Sequence, residues 1–286
     1  MHLTVLTDPS EFTERVLAFL LANEAVHNLL LSILADLSGG RTFGVANPLL
    51  SFVEDETGVR AVGVMTPPRN LVVSQSGTVG AIGALAGGLR SQGLDVPGVL
   101  GPSAESGAFA AAWGRLTAQP FRRAMAMHVY QATRIRMPEP MAPGGHRLAT
   151  PGDVGLLAAW ITAFNEEALE ESVSDPGAAT RLAEDLVANR GRSMSLWEDG
   201  EVPVSMAATG GSTPNGGRVY AVYTPPEHRR KGYASALVAV LSRRLLDGGL
   251  RYCFLFTDRA NPTSNHIYRQ IGYEPVAPFD TYRFGD

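Results

Sequence analysis

The sequence predicts an α/β chain, α+β in the arrangement of its strands, made of two domains in tandem. Each is expected to be a mixed, mostly antiparallel central sheet flanked by helices. Three observations predict it. The chain has 286 residues, 45% of them hydrophobic and 18% charged, enough for two cores of ordinary size. Pro138, Pro140, Pro143, Gly144 and Gly145 form its densest cluster of structure breakers, marking a linker over 138–145 between domains at 1–137 and 146–286. On both sides of that cluster the periodicity runs in the same order: helices, strands joined by short turns, then strand–helix–strand–helix–strand.

In the first half, residues 1–6 begin a strand, and Asp8-Pro9 starts a helix with Asp8 as N-cap and Pro9 in the first helical position. A second, very apolar helix is expected from Asn28 to Leu37, stopped by Gly39-Gly40. Strands follow at 49–54, 60–65 and 70–74, then a helix over 79–91, a strand at 97–100, a helix over 103–116 capped by Ser103, and a strand over 122–134. In the second half the order is strand 146–149, helix 154–171, helix 176–190, and strands 194–198, 202–209 and 218–224. Helix 233–247 ends at Gly248-Gly249. Residues 251–257 are a nearly continuous apolar run, the pattern of a strand covered on both faces. Helix 262–271 and a strand from Gly272 to Phe284 complete the chain.

Composition excludes several classes of function. A net charge of −4 argues against a general nucleic-acid binder. The longest apolar stretches near the N-terminus are broken by Asn23, Glu24, His27 and Asn28, so no membrane span is expected. Residues 1–30 lack the pattern of a secretory signal, and a single cysteine, Cys253, fits a reducing cytoplasm. The six histidines show no metal-ligand spacing, so no metal is expected. Neither a Gly-x-Ser-x-Gly elbow nor a Walker loop is present.

The positive charge is local. Val219 to Ala234 reads as a strand, a proline-marked turn, a basic loop (His228-Arg229-Arg230-Lys231) and the start of a helix at Gly232. Backbone N–H groups and cations gathered at one helix N-terminus suit a diphosphate. Arg229-Arg230-Lys231-Gly232-Tyr233-Ala234 resembles the Arg/Gln-x-x-Gly-x-Gly/Ala motif of the GNAT N-acetyltransferase superfamily, and the resemblance covers roughly 146–286. It implies that Arg229, Arg230, Lys231, Gly232, Tyr233, Ala234 and Ser235 hold the pyrophosphate of acetyl-CoA. It also implies that the backbone of Val222, Tyr223 and Thr224 pairs with the pantetheine arm and offers an N–H to the thioester carbonyl. The family often has Gly where this chain has Arg230. Arg243 and Arg244, at the far end of the helix, suit its dipole and read as structural.

A second group is Asn261-Pro262-Thr263-Ser264-Asn265-His266-Ile267-Tyr268, with Asn261 as N-cap and Ser264 and Tyr268 on one helical face. It resembles the family segment Asn-x-x-Ser/Ala-x-x-x-Tyr, which implies that Asn261, Ser264 and Asn265 contact CoA and that Tyr268 protonates the departing thiolate. A phenol of pKa ~10 serving a thiolate near ~8.5 is uphill by about 2 kcal/mol. Tyr268 equally suits a Tyr-x-x-x-Gly-Tyr packing motif with Gly272 and Tyr273.

A primary amine acceptor must lose a proton, at a cost of about 4–5 kcal/mol at neutral pH. Glu166, Glu167, Glu170 and Glu171 border the expected acceptor site, with Glu167 taken as the base, and Asp258 is another candidate. The N-terminal half offers Ser76-Gly77-Thr78-Val79-Gly80 where a phosphate loop should sit, with no cation, while Phe109 and Trp113 look like core. That half is expected to be a degenerate GNAT-like domain. The expected function is acetyl transfer from acetyl-CoA to an amine in a ternary complex, by a protein that binds neither nucleic acid nor membrane; a homodimer is left open. The alternatives are a non-catalytic acyl-CoA sensor and an acyltransferase using a longer acyl-CoA.

Overall fold

A computed structural model describes residues 1–40, 47–168, 175 and 177–285. In chain order its elements are β1 (His2–Leu6), α1 (Pro9–Leu21), α2 (Glu24–Ser38), β2 (Leu49–Asp55), β3 (Gly58–Met65), β4 (Leu71–Val73), α3 (Ala81–Ser91), β5 (Gly98–Pro102), α4 (Ser103–Thr117) and β6 (Phe121–Ala132). There follow β7 (Gly145–Leu148), α5 (Val154–Ala168), α6 (Ala178–Val187), β8 (Ser193–Asp199), β9 (Val202–Gly210), β10 (Gly216–Tyr223), α7 (Tyr233–Asp247), β11 (Tyr252–Asp258), α8 (Pro262–Gln270) and β12 (Glu274–Phe284). Single 3-10 turns lie at Pro151–Asp153 and Pro226–His228. No helix among the described residues is long and apolar enough to cross a membrane.

The chain forms two compact units, Met1–Val129 with Pro275–Asp286, and Tyr130–Glu274. This division differs from the expected domains at 1–137 and 146–286. Tyr130, Ala132 and Ile135 already pack in the core of the second unit, ahead of the Pro/Gly cluster. The C-terminal strand joins the first unit: β12 pairs antiparallel with β5, with Thr281 opposite Leu100. Local sequence says that 274–284 is a strand; which edge it finds is decided elsewhere in the chain.

In the first unit the sheet order is β1–β2–β3–β4–β5–β12, with only β4 and β5 parallel. Alternation along the strands builds a core on each face. Leu50, Phe52, Val62 and Val64 meet Phe12, Val16, Leu20 and Leu30 of α1 and α2. Leu49, Val53, Ala61 and Met65 meet Leu85 and Leu89 of α3 and Phe109 and Trp113 of α4. Asp8 caps α1 as expected, accepting from the Glu11 amide at 2.7 Å, a contribution of about 1 kcal/mol. Two expectations change. Helix α2 begins at Glu24 instead of Asn28, because Glu24, His27 and Asn28 are buried on the helix instead of breaking it. Helix α4 is preceded by Pro102 and has no side-chain cap, Ser103 lying within the helix.

The second unit carries the sheet β7–β8–β9–β10–β11, again with one parallel pair, β10 and β11. Leu157 and Ile161 of α5 and Ala183 and Leu186 of α6 cover one face with Met194, Leu196, Met206 and Tyr223. On the other face Leu237, Val238 and Leu241 of α7, Tyr268 of α8 and its C-cap residue Ile271 pack on Val219, Cys253 and Leu255. Each unit thus places its first helix pair on one face and its second pair on the other. In each, a parallel strand pair is joined through a crossover helix: β4–α3–β5 and β10–α7–β11. Arg243 and Arg244 have structural partners, the Ile135 carbonyl at 2.8 Å and His146 Nδ1 at 3.1 Å.

Candidate active site

The site in the second unit starts at the end of β10. Against β9 the register runs Arg218↔Gly210, Val219↔Thr209 and Tyr220↔Ala208, then shifts to Tyr223↔Met206. That shift is a bulge of one extra residue, and Ala221 takes a φ of 50° to make it. Against β11 the parallel register covers Gly216↔Tyr252, Gly217↔Cys253 and Arg218↔Phe254 and ends there. The strand therefore reaches Tyr223 with one edge released from its neighbour. Its end is pinned by the buried Ser205, whose hydroxyl donates to the Tyr223 carbonyl at 3.0 Å and lies 2.9 Å from Thr224 Oγ1. Nothing in the sequence pattern singled out Ser205, since a serine on β9 has no motif around it.

The basic loop follows. Pro226–His228 is a single turn, Arg230 has φ 62° and Gly232 φ 82°. Gly232 is the N-cap of α7, with no side chain capping the helix. The first bond within the helix runs from the Ala236 amide to the Gly232 carbonyl at 2.9 Å. The amides of Tyr233, Ala234 and Ser235 thus have no intrahelical carbonyl, which makes this end attractive to an anion. A Cβ on Gly232 would meet only Ala142 Cβ at 3.6 Å, so within the protein it is the left-handed φ that calls for glycine, not crowding. The Tyr233 side chain turns into the core and its hydroxyl donates to Asp199, whose carboxylate raises the phenol's pKa. Arg230 and Lys231 are exposed and, among the described residues, make no hydrogen bond or ion pair.

Arg229 differs. Its Nε donates to the Thr224 carbonyl at 2.8 Å and its Nη2 to Glu167 Oε2 at 2.6 Å, and its guanidinium lies 5.7 Å from the centre of the Tyr223 ring. The Tyr223 hydroxyl donates to the other oxygen of Glu167 at 3.1 Å. Burial and then that carboxylate raise the Tyr223 pKa. Glu166 is exposed on α5, and Glu170 and Glu171 lie outside the described residues. Asp258 serves its own turn, Oδ1 accepting from the Ala260 amide at 2.8 Å.

Helix α8 is capped by Asn261, which accepts from the Ser264 amide at 3.0 Å, with Pro262 in the first turn. The Asn265 side chain is used within the fold: Nδ2 donates to the Asp258 and Asn261 carbonyls at 3.0 and 2.7 Å, and Oδ1 accepts from the Tyr130 hydroxyl at 3.2 Å. Tyr268 is buried between Tyr130 and Tyr273, with ring centres 6.5 and 6.1 Å away. Gly272, at φ 106°, makes the turn between Tyr268 and Tyr273, and a Cβ there would strike the Arg134 carbonyl at 2.6 Å. The packing motif is therefore real. The Tyr268 hydroxyl makes no hydrogen bond among the described residues, and burial pushes its pKa up to about 12. It stays protonated at neutral pH and is free to donate.

The corresponding loop of the first unit has the same backbone plan and a different chemistry. Gly80, at φ 87°, caps α3 as Gly232 caps α7, and the Ala84 amide donates to its carbonyl at 2.9 Å. The amides before it are engaged: Ser76 N with Glu105 Oε1 at 3.0 Å, Gly77 N with the Arg60 carbonyl at 2.7 Å and Thr78 N with Ser76 Oγ at 3.3 Å. Among the described residues no group of three or more His, Cys, Asp or Glu could hold a metal ion.

Residues 201–284 match the family model described as FR47-like protein. The whole chain is similar in fold to a Drosophila protein, at 11% identity and a TM-score of 0.70 over 99% of this chain and 98% of that one. It is similar to a GCN5-related N-acetyltransferase from Sphaerobacter thermophilus, at 16% identity and 0.61 over 99% and 97%. It is also similar to a tandem GNAT protein from the clavulanic acid biosynthesis pathway, at 13% identity and 0.60 over 98% and 97%. No curated protein matches by sequence. The chain has the tandem GNAT fold, and its C-terminal region carries the resemblance at the sequence level as well.

Proposed function

We propose that the protein is an N-acetyltransferase, moving an acetyl group from acetyl-CoA to a primary amine by direct attack in a ternary complex. The observation that carries this reading is the end of β10, where a strand edge released after Arg218 leads through the basic loop to a helix N-terminus with three uncapped amides. An extended amide-bearing arm ending in a diphosphate complements both parts. In this reading the pantetheine amides pair with the backbone of Val222, Tyr223 and Thr224. The diphosphate sits on the amides of the Arg229–Ser235 stretch, with Arg230 and Lys231 supplying charge. Asn261, Ser264 and Asn265 border the arm through the first turn of α8.

The reaction then needs three things from the chain. An amide at the end of β10 stabilises the oxyanion as the amine nitrogen attacks the thioester carbon. Tyr268 donates a proton to the sulfur as the C–S bond breaks. Glu167, with the Tyr223 hydroxyl beside it, takes the proton that the attacking amine gives up. With a phenol near 12 and a thiol of pKa ~8.5, full proton transfer is uphill by about 5 kcal/mol, so Tyr268 works chiefly as a hydrogen-bond donor in the transition state. The chemistry requires neither a metal nor an acyl-enzyme.

The test is release of free thiol from acetyl-CoA across a broad panel of amines. Acceptor-dependent release supports the proposal. Saturable acetyl-CoA binding with no such release would make the protein an acyl-CoA sensor, and release only with longer acyl-CoA would change the donor.

A further inference from the structure

We propose that the Arg229 side chain is a positioning residue for the acceptor side of this reaction and not a ligand of the cofactor's phosphates. The inference rests on the acyl-transfer reading above. The basic loop offers three consecutive cations, all exposed, and only Arg229 has partners among the described residues. Arg229 is tied to the strand end through the Thr224 carbonyl, to α5 through Glu167 and to the Tyr223 ring. Arg230 and Lys231 remain exposed, without a partner among the described residues.

The contacts of Glu167 point the same way. Each carboxylate oxygen has its own donor, Tyr223 on Oε1 and Arg229 on Oε2, so the guanidinium and the phenol fix the carboxylate in one orientation. Trp160, on the same helix, lies 6.3 Å from the Tyr223 ring. Glu167 and Trp160 of α5, Tyr223 of β10 and Arg229 of the loop thus form one cluster at the strand end where the thioester is expected. A planar guanidinium can meet a carbonyl, a carboxylate and a ring face together; an ammonium at the end of a lysine chain cannot. Withdrawing Arg229 to a phosphate would release Glu167 from that orientation.

The experiment measures acetyl-CoA affinity by titration and acceptor kinetics by thiol release, for wild type, Arg229→Ala, Arg229→Lys, Glu167→Ala, Arg229→Ala/Glu167→Ala and Arg230→Ala/Lys231→Ala. Arg229→Ala is expected to leave the acetyl-CoA Kd within about twofold while lowering kcat/KM for the amine about tenfold or more. Glu167→Ala should do the same, and the double variant should be no worse than the weaker single one, since both break one unit. Arg229→Lys should recover only part of the loss. Arg230→Ala/Lys231→Ala should instead raise the Kd about tenfold or more. Arg229→Ala weakening acetyl-CoA as much as that pair, or leaving acceptor kinetics at wild type, overturns the assignment of Arg229 alone. Absence of thiol release in wild type with every amine overturns the transfer reading, and this inference with it.

Discussion

The Glu105 carboxylate of α4 accepts from the Ser76 amide at 3.0 Å, so the N-terminal counterpart of the basic loop already holds an anion supplied by the chain itself. With no cation in Ser76–Gly80, that loop sets a negative charge against a diphosphate where the second unit sets Arg230 and Lys231. Titration with acetyl-CoA is therefore expected to give one site per chain, weakened about tenfold or more by Arg230→Ala/Lys231→Ala. A second site whose affinity that double substitution leaves unchanged would mean that the first unit binds acetyl-CoA after all.

Tyr268→Phe separates chemistry from packing. The hydroxyl makes no hydrogen bond among the described residues, so its removal should leave the melting temperature unchanged or slightly raised. Acetyl-CoA affinity should also stay near wild type, while turnover falls about 100-fold if the phenol donates to the leaving thiolate. Turnover at the wild-type rate would leave Tyr268 as a core aromatic only.

Gly232→Ala tests the backbone of the loop. An alanine held at φ 82° costs about 1–2 kcal/mol, which should lower the melting temperature by about 2–8 °C. Because the surroundings leave room for a methyl group, the loss should be conformational, and acetyl-CoA affinity should fall with it. Calorimetry and titration on one sample check both; an unshifted melting temperature would show that the loop accommodates a side chain there.

His27 gives the first unit a pH dependence whose sign is set by burial. Its Nδ1 faces the Leu20 carbonyl at 2.8 Å and must carry the proton, while Nε2 accepts from the Gln75 amide at 3.1 Å. Burial lowers its pKa from 6.5, so the neutral ring is the native form. The unfolded chain takes up a proton near 6.5 and the folded one does not, so stability is full above that pH and declines below it. His146 in the second unit, its pKa lowered by burial and by Arg244, changes stability in the same direction. Denaturation of wild type and His27→Gln between pH 8 and pH 5 should show a shallower acid decline in the variant. Parallel curves would rule out His27 as a source.

Much of the candidate site was legible in the sequence because its signals are local. Proline after Asn261 starts α8, Gly232 followed by an apolar stripe starts α7, and the cations stand beside each other in the chain. Those signals depend on backbone sterics and helix-end donors within a few residues, which the chain carries wherever it folds. The burial of Glu24, His27 and Asn28 on α2 was not legible, because polar residues spell a break until a core accepts them.

The sequence by itself determined the order of elements, the phosphate-type loop and the phenol on α8. Only the tertiary structure decided that β12 completes the first unit, that Ser205 pins the end of β10 and that Glu105 sits on the Ser76 amide. It also decided what became of the basic loop, turning Arg229 toward Glu167 and leaving Arg230 and Lys231 outward. The reason is physical: a helix end or a turn is specified by neighbours in the chain, whereas a hydrogen bond between residues far apart depends on which surfaces the packed sheet brings together.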